Sequence, residues 1–136
     1  MDTGFIVSLF ATFVIVIILD FVWFSITLKP LYAKALTRVT NRIWKFEYTA
    51  QNVIAAILAY LVIVAVSVYA RSDSNEKTFY NGAFLGACLN ALYNYTNMAT
   101  FGAATWGWST AVIDISWGAV LVGTAALVGR MVESSI

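Results

Sequence analysis

Apolar residues run almost unbroken over residues 4–28, 47–70 and 108–130, and a fourth run, more mixed, covers 78–100. A helix rises ~1.5 Å per residue, so about 20 apolar residues cross a hydrocarbon layer ~30 Å thick. The pattern therefore predicts an all-α integral membrane protein, with four transmembrane helices in an antiparallel bundle and a single domain over 1–136. Between the first and second runs, residues 31–46 interleave Lys34, Arg38, Arg42 and Lys45 with Leu31, Tyr32, Leu36, Val39 and Trp44. That mixture predicts a basic connection, either a loop or a short helix lying in the headgroup layer. Pro30 is expected to stop the first helix or start the next one. Residues 71–77, RSDSNEK, form a short polar turn, and the glycine-containing stretch 101–107 is too short to separate domains.

Composition sharpens this picture. The chain is 61% hydrophobic and 11% charged, with a mean hydropathy of +0.81, beyond what a soluble core of this length can hide. The first run does not resemble a signal peptide, because Asp2 stands where a positive charge belongs and Asp20 interrupts a run that is already too long. A net charge of +1 argues against a nucleic-acid partner, which needs a clustered basic face. There is no His, and Cys88 is the only thiol. That excludes an intrachain disulfide and a Cys/His zinc site, and Cys88 reads as a small apolar residue in a packed helix. No lysine falls within a span, so a retinal Schiff base is excluded. Asn94-Tyr95-Thr96 fits a glycosylation acceptor but lies inside a span. Phosphate-cradling loops and nucleophile elbows are absent. The expectation is no cofactor, no metal and no enzymatic activity.

Orientation is set by basic residues near the span ends. Lys29, Lys34, Arg38, Arg42 and Lys45 stand on one side, against Arg71, Lys77 and Arg130 on the other. Five against three predicts a cytoplasmic first connection with both termini outside.

The polar residues inside the runs share one depth. Asp20 lies past the middle of the first span and Asp114 before the middle of the fourth, which runs the opposite way. Both are therefore expected roughly 5–7 Å from the midplane on the basic-connection side. Asn90, Tyr93, Asn94, Thr96, Asn97 and Thr100 occupy the half of the third span that approaches that side, and the other half of the membrane holds almost no polar residues. A carboxylate in hydrocarbon costs at least about 2.5 kcal/mol, so such acids face a bundle interior, a cavity or a partner. Asn90, Asn94 and Asn97 share one helical face. They can coordinate a stripped cation, and equally can staple helices together. Asp20 and Trp23 match Asp114 and Trp117 in spacing, which hints at an inverted repeat of the kind transporters use. Trp44, Trp106 and Trp108 read as interfacial anchors. Gly82, Gly86, Gly118 and Gly123 mark small faces for close helix packing, either within the chain or between copies.

These residues also resemble a known family, the small predicted membrane proteins of domain-of-unknown-function family 2177. The resemblance spans nearly the whole chain and rests on Asp20-x-x-Trp23, Gly82-Ala83-x-x-Gly86, Tyr93-x-x-Thr96-Asn97-x-Ala99-Thr100, Trp106 and Asp114-x-x-Trp117-Gly118. Many members carry Asp where this chain has Asn94. The resemblance implies four spans and no established activity.

The resulting expectation is a small oligomeric channel or transporter for protons or a small cation. Asp20 and Asp114 are its ion-interacting acids, Tyr93, Asn90, Asn94 and Asn97 its neutral groups, and Thr96, Thr100, Trp23 and Trp117 its polar support. Its partners are membrane lipids and further copies of itself. The alternative is a non-catalytic membrane scaffold with a structural polar patch. A third reading, binding or modification of a lipid or small molecule, stands behind both.

Overall fold

A computed structural model describes residues 2–45 and 47–136. Met1 and Phe46, the latter closing the expected basic connection, lie outside the described residues. The described residues form helices and connecting turns, with no strand among them.

Helix α1 (Thr3–Thr27) starts at Asp2, whose carboxylate accepts from the Gly4 N–H. It does not end at Pro30. A π-helical segment (Leu28–Ala33) carries it into α2 (Lys34–Thr40), giving one helix of 38 residues. Proline has no N–H for the bond one turn back, and a widened turn accommodates the gap without breaking the helix. Residues 31–40 of the expected connection are therefore a helical continuation, whereas 41–45 form a loop. The helix stops at Asn41, whose φ of 54° is left-handed, a conformation Asn tolerates better than most residues.

Helix α3 (Ala50–Tyr69) is capped by Thr49, whose hydroxyl accepts from the Asn52 N–H at 3.2 Å. Only Val64 and Ser67 of its residues are buried, so nearly all of its apolar surface faces outward. Ser74 caps α4 (Asn75–Phe101). Gly102 and Gly107, with φ of +90° and +100°, bracket the short α5 (Ala103–Trp106), and α6 (Trp108–Ser135) comes next. Both glycines hold a positive φ that a Cβ would strain.

Helix α6 is the centre of the fold. It packs most extensively against α4, then against α1 and α3, and it buries ten residues, nearly all small or aliphatic. The glycines work inside the chain. A Cβ on Gly86 would fall on the Gly118 carbonyl, one on Gly82 would sit 2.8 Å from the Val122 carbonyl oxygen, and one on Gly123 would press on Phe79 at 3.0 Å. These are backbone approaches that only Gly permits, and they close α4 on α6.

Two polar ties show how the ends meet. At one end the Arg71 guanidinium, after α3, donates to Ser8 Oγ at 2.8 Å and Thr12 Oγ1 at 3.0 Å at the start of α1, and to Glu133 near the end of α6 at 2.6 Å. At the other end Arg38 of α2 donates to the carbonyls of Thr105 at 2.8 Å and Trp106 at 3.1 Å, just before α6. The first of these corrects an expectation. The half of the bundle read as lacking polar residues buries Ser8, Thr12, Ser67 and Thr78. Three of these four hydroxyls also bond within their own helix, which hides them from a depth count. Ser8, Thr12 and Ser67 donate to carbonyls three or four residues back. Cys88 faces outward rather than into a packed interface.

Three helices are long and apolar enough to cross a membrane: Thr3–Thr40, Ala50–Tyr69 and Trp108–Ser135. Helix α4 matches them in length, but its asparagines, threonines and tyrosines dilute its apolar character.

Candidate functional site

Asp114 sits on the buried face of α6, and the hydrogen bonds to it come from two other elements. Tyr32, in the π-helical segment, donates its hydroxyl proton to Oδ1. From α4, Asn94 donates to Oδ2 at 2.5 Å and Asn90 at 3.2 Å. Asn90 also donates to the Asp114 backbone carbonyl at 2.8 Å. Each donor is fixed in turn. Trp23 Nε1 donates to the Tyr32 hydroxyl oxygen at 3.0 Å, which leaves the tyrosine proton to Asp114. Trp106 Nε1 donates to Asn94 Oδ1 at 2.9 Å, which turns the asparagine NH2 towards the acid. A backbone carbonyl only accepts, so the Asn90 group facing Asp114 is its NH2.

Asp20, on α1, accepts from Trp117 Nε1 at 2.9 Å. The two Asp/Trp pairs of like spacing are thus crossed. Trp117 of α6 serves the acid of α1, and Trp23 of α1 serves the acid of α6 through Tyr32. Their indoles stack between them, 4.5 Å apart and 2° from parallel. Both acids are nearly closed off, at 6% exposure, and Asp114 lies within electrostatic reach of Asp20.

Other residues singled out in the sequence fall elsewhere. Tyr93 is half exposed and meets the edge of Trp106 at 5.8 Å. Asn97 is half-buried, and Thr96 and Thr100 face outward. The threonines are not brought to the acids, because the helical face that meets α6 is that of Asn90, Asn94 and Met98. Trp106, read as an interfacial anchor, is 1% exposed, because its N–H is needed at Asn94. Trp108 does face outward. Tyr32 was the residue missed. Its place amid basic residues masked it, and it reaches Asp114 from the widened turn.

A cleft of about 610 Å³ opens beside this network, between the α1–α2 helix, α3 and α4. Its wall includes Phe24, Leu28, Leu36, Ala56 and Ala59, with Tyr60 and Tyr93 on its flanks. Tyr32, Asn90 and Asp114 supply its polar floor. Asp20 does not line it. Among the described residues no group of three His, Cys, Asp or Glu side chains could hold a metal ion.

The fold and its buried acids define a helical membrane protein built around a hydrogen-bonded carboxylate. The chain belongs to a family described as Predicted membrane protein (DUF2177), whose model matches residues 5–131. No curated protein and no solved structure matches the chain.

Proposed function

We propose that this protein crosses the membrane four times and binds an amphiphilic molecule in the cleft above Asp114. The four crossings rest on connectivity. Arg71 ties the end of α3 to the start of α1 and the end of α6, whereas Arg38 ties α2 to the start of α6. If α1, α3 and α6 all span, α3 ends on one side and α6 begins on the other, so α4 must cross between them. At ~1.5 Å per residue, its 27 residues reach about 40 Å, enough for that. Its Asn90 and Asn94 turn to α6 and its Tyr93 lines the cleft, whereas Thr96 and Thr100 face outward. The end bearing the cleft also carries the basic α2 and its connection, while at the opposite end Arg71 is paired with Glu133. This supports the cleft end as cytoplasmic.

The observation that carries the binding reading is the cleft itself: a large apolar wall with a few convergent polar groups is what small-molecule sites look like. In a bilayer, a molecule with one polar end and an apolar body fits it. The decisive experiment fills the space. Ala56→Trp and Ala59→Trp should leave the purified protein folded but strip a lipid or detergent that the wild type retains on native mass spectrometry. Equal retention by both would sink the reading.

One observation favours the movement of protons or a small cation instead: both acids lie in the same half of the bundle, within electrostatic reach. Flux into liposomes that falls in Asp20→Asn and Asp114→Asn would support it, and unchanged flux would remove the acids from any such mechanism. The glycine faces are used within the chain, so a homo-oligomer is a separate proposal, tested by the mass of the detergent-solubilised particle.

A further inference from the structure

We infer that the molecule held in this cleft carries an ammonium group, which meets the Asp114 carboxylate. The inference rests on the amphiphile reading above and names the chemistry of the polar end.

Among the described residues, every side chain that hydrogen-bonds the Asp114 carboxylate is a donor: Tyr32, Asn90 and Asn94. The second contacts of these groups, from Trp23, from Trp106 and to the Asp114 carbonyl, fix which end of each faces the acid. With Trp23 already donating to the Tyr32 oxygen and both amides turned NH2-first, the three partners aim donors at the carboxylate, which suits its charged form. The site is built for the anion.

Yet the anion has no counter-charge among the described residues. All three partners are neutral, and no Lys or Arg lines the cleft. Arg42 and Lys45 line an adjoining hollow that meets the cleft only at Trp44. A buried carboxylate held by neutral donors alone is costly in a low-dielectric setting, and breaking or withholding its ionic partner leaves that cost uncompensated. A cationic ligand removes it.

The wall fits that charge. Of the described lining residues half are aromatic: Phe24, Tyr32, Trp44, Tyr48, Tyr60 and Tyr93. Ring faces attract cations, and more strongly where water is excluded. A carboxylate at the floor of an aromatic-walled, apolar cleft is the arrangement that recognises an alkylammonium, with the aliphatic wall taking the chain.

The test uses the full chain in nanodiscs of a neutral glycolipid and three single-chain probes: dodecyltrimethylammonium, dodecyl maltoside and dodecyl sulfate. Binding is read from tryptophan emission, to which Trp44 in the wall is sensitive. The wild type should prefer the ammonium over the maltoside by about tenfold or more, the size expected of one desolvated cation contact. Asp114→Asn should remove that margin. Tyr93→Leu, which keeps bulk but loses the ring, should shrink the margin severalfold, and it carries the test if Asp114→Asn does not fold. Equal binding of ammonium and maltoside, a margin that survives both substitutions, or a preference for the sulfate would overturn the ammonium assignment while leaving the cleft as a binding site. Binding of none of the probes would instead remove the amphiphile reading on which it rests.

Discussion

The indoles of Trp23 and Trp117 lie face to face across α1 and α6, and each delivers its N–H to the network of the opposite helix. The stack therefore aims one indole N–H at Asp20 and the other at Tyr32, which in turn donates to Asp114. Trp117→Phe keeps a ring but leaves Asp20 without its indole. We expect a loss of about 1–3 kcal/mol in unfolding free energy, the cost of a buried polar group left unpaired. Trp23→Phe should cost less, because Tyr32 retains its bond to Asp114. Unfolding in detergent, monitored by circular dichroism, measures both, and the reverse ranking would contradict the crossed arrangement.

Gly118 sits where α4 and α6 come closest, and a Cβ there would meet Asn90 and the Gly86 carbonyl. Gly118→Ala should therefore do more than loosen the bundle. It should push away an amide that holds Asp114, lowering stability by about 1–3 kcal/mol and weakening ligand retention as well. Gly82→Ala meets Val122, Gly123 and Ala126, remote from the acid. It should lower the unfolding midpoint while folded protein retains ligand normally.

The side chain of Arg71 is only 10% exposed, and it joins α1 to α6. Arg71→Gln abandons Ser8, Thr12 and Glu133 together, and with the Glu133 end partly open the loss should be about 1–3 kcal/mol. Glu133→Gln retains an acceptor at a partly open site, so it should cost well under half as much. Similar unfolding midpoints for the two variants would mean that the hydroxyl contacts contribute little.

One surface acid has a clear pH signature. Lys77, bonded to Asp73 at 3.1 Å, holds the Asp73 carboxyl below the usual carboxylate range, with Ser72 adding to the effect. A value lowered by folding stabilises the fold above the unfolded pKa, and the contribution fades as pH falls through the folded value. Asp73→Asn should thus unfold slightly earlier than wild type at neutral pH, with the difference gone by about pH 2. Because the pair is exposed, about 1 M salt at neutral pH should also shrink it. A difference that grows on acidification would reverse the sign.

The sequence made some of this site plain and hid the rest for identifiable reasons. Asp20, Asp114, Asn90 and Asn94 announced themselves, since polar groups in apolar runs have few explanations. Their partners did not. Tyr32 lay among lysines and arginines, where a tyrosine reads as a headgroup anchor, and the geometry of Pro30 is what carries it inward. Trp106 looked like another anchor because indoles favour interfaces, yet its N–H is committed to Asn94 at 2.9 Å. Arg71 counted as a loop charge because hydropathy sees its charge and not the three groups it reaches. The glycine faces were legible as close-packing surfaces. Which helix they met was not, because the same stripe serves contacts within a chain and between chains.

The widened turn at Leu28–Ala33 has a consequence for chain length. A π-helical segment houses an additional residue per turn, so this junction keeps count. If the segment relaxed to ordinary pitch with its residue count unchanged, the downstream residues would rotate by roughly 100°. A neighbour without a hydroxyl would then be presented to α6 in place of Tyr32, and the indole of Trp23 would point at nothing that accepts. A one-residue deletion that closes the widened turn should therefore be borne better than a change that straightens it at full length.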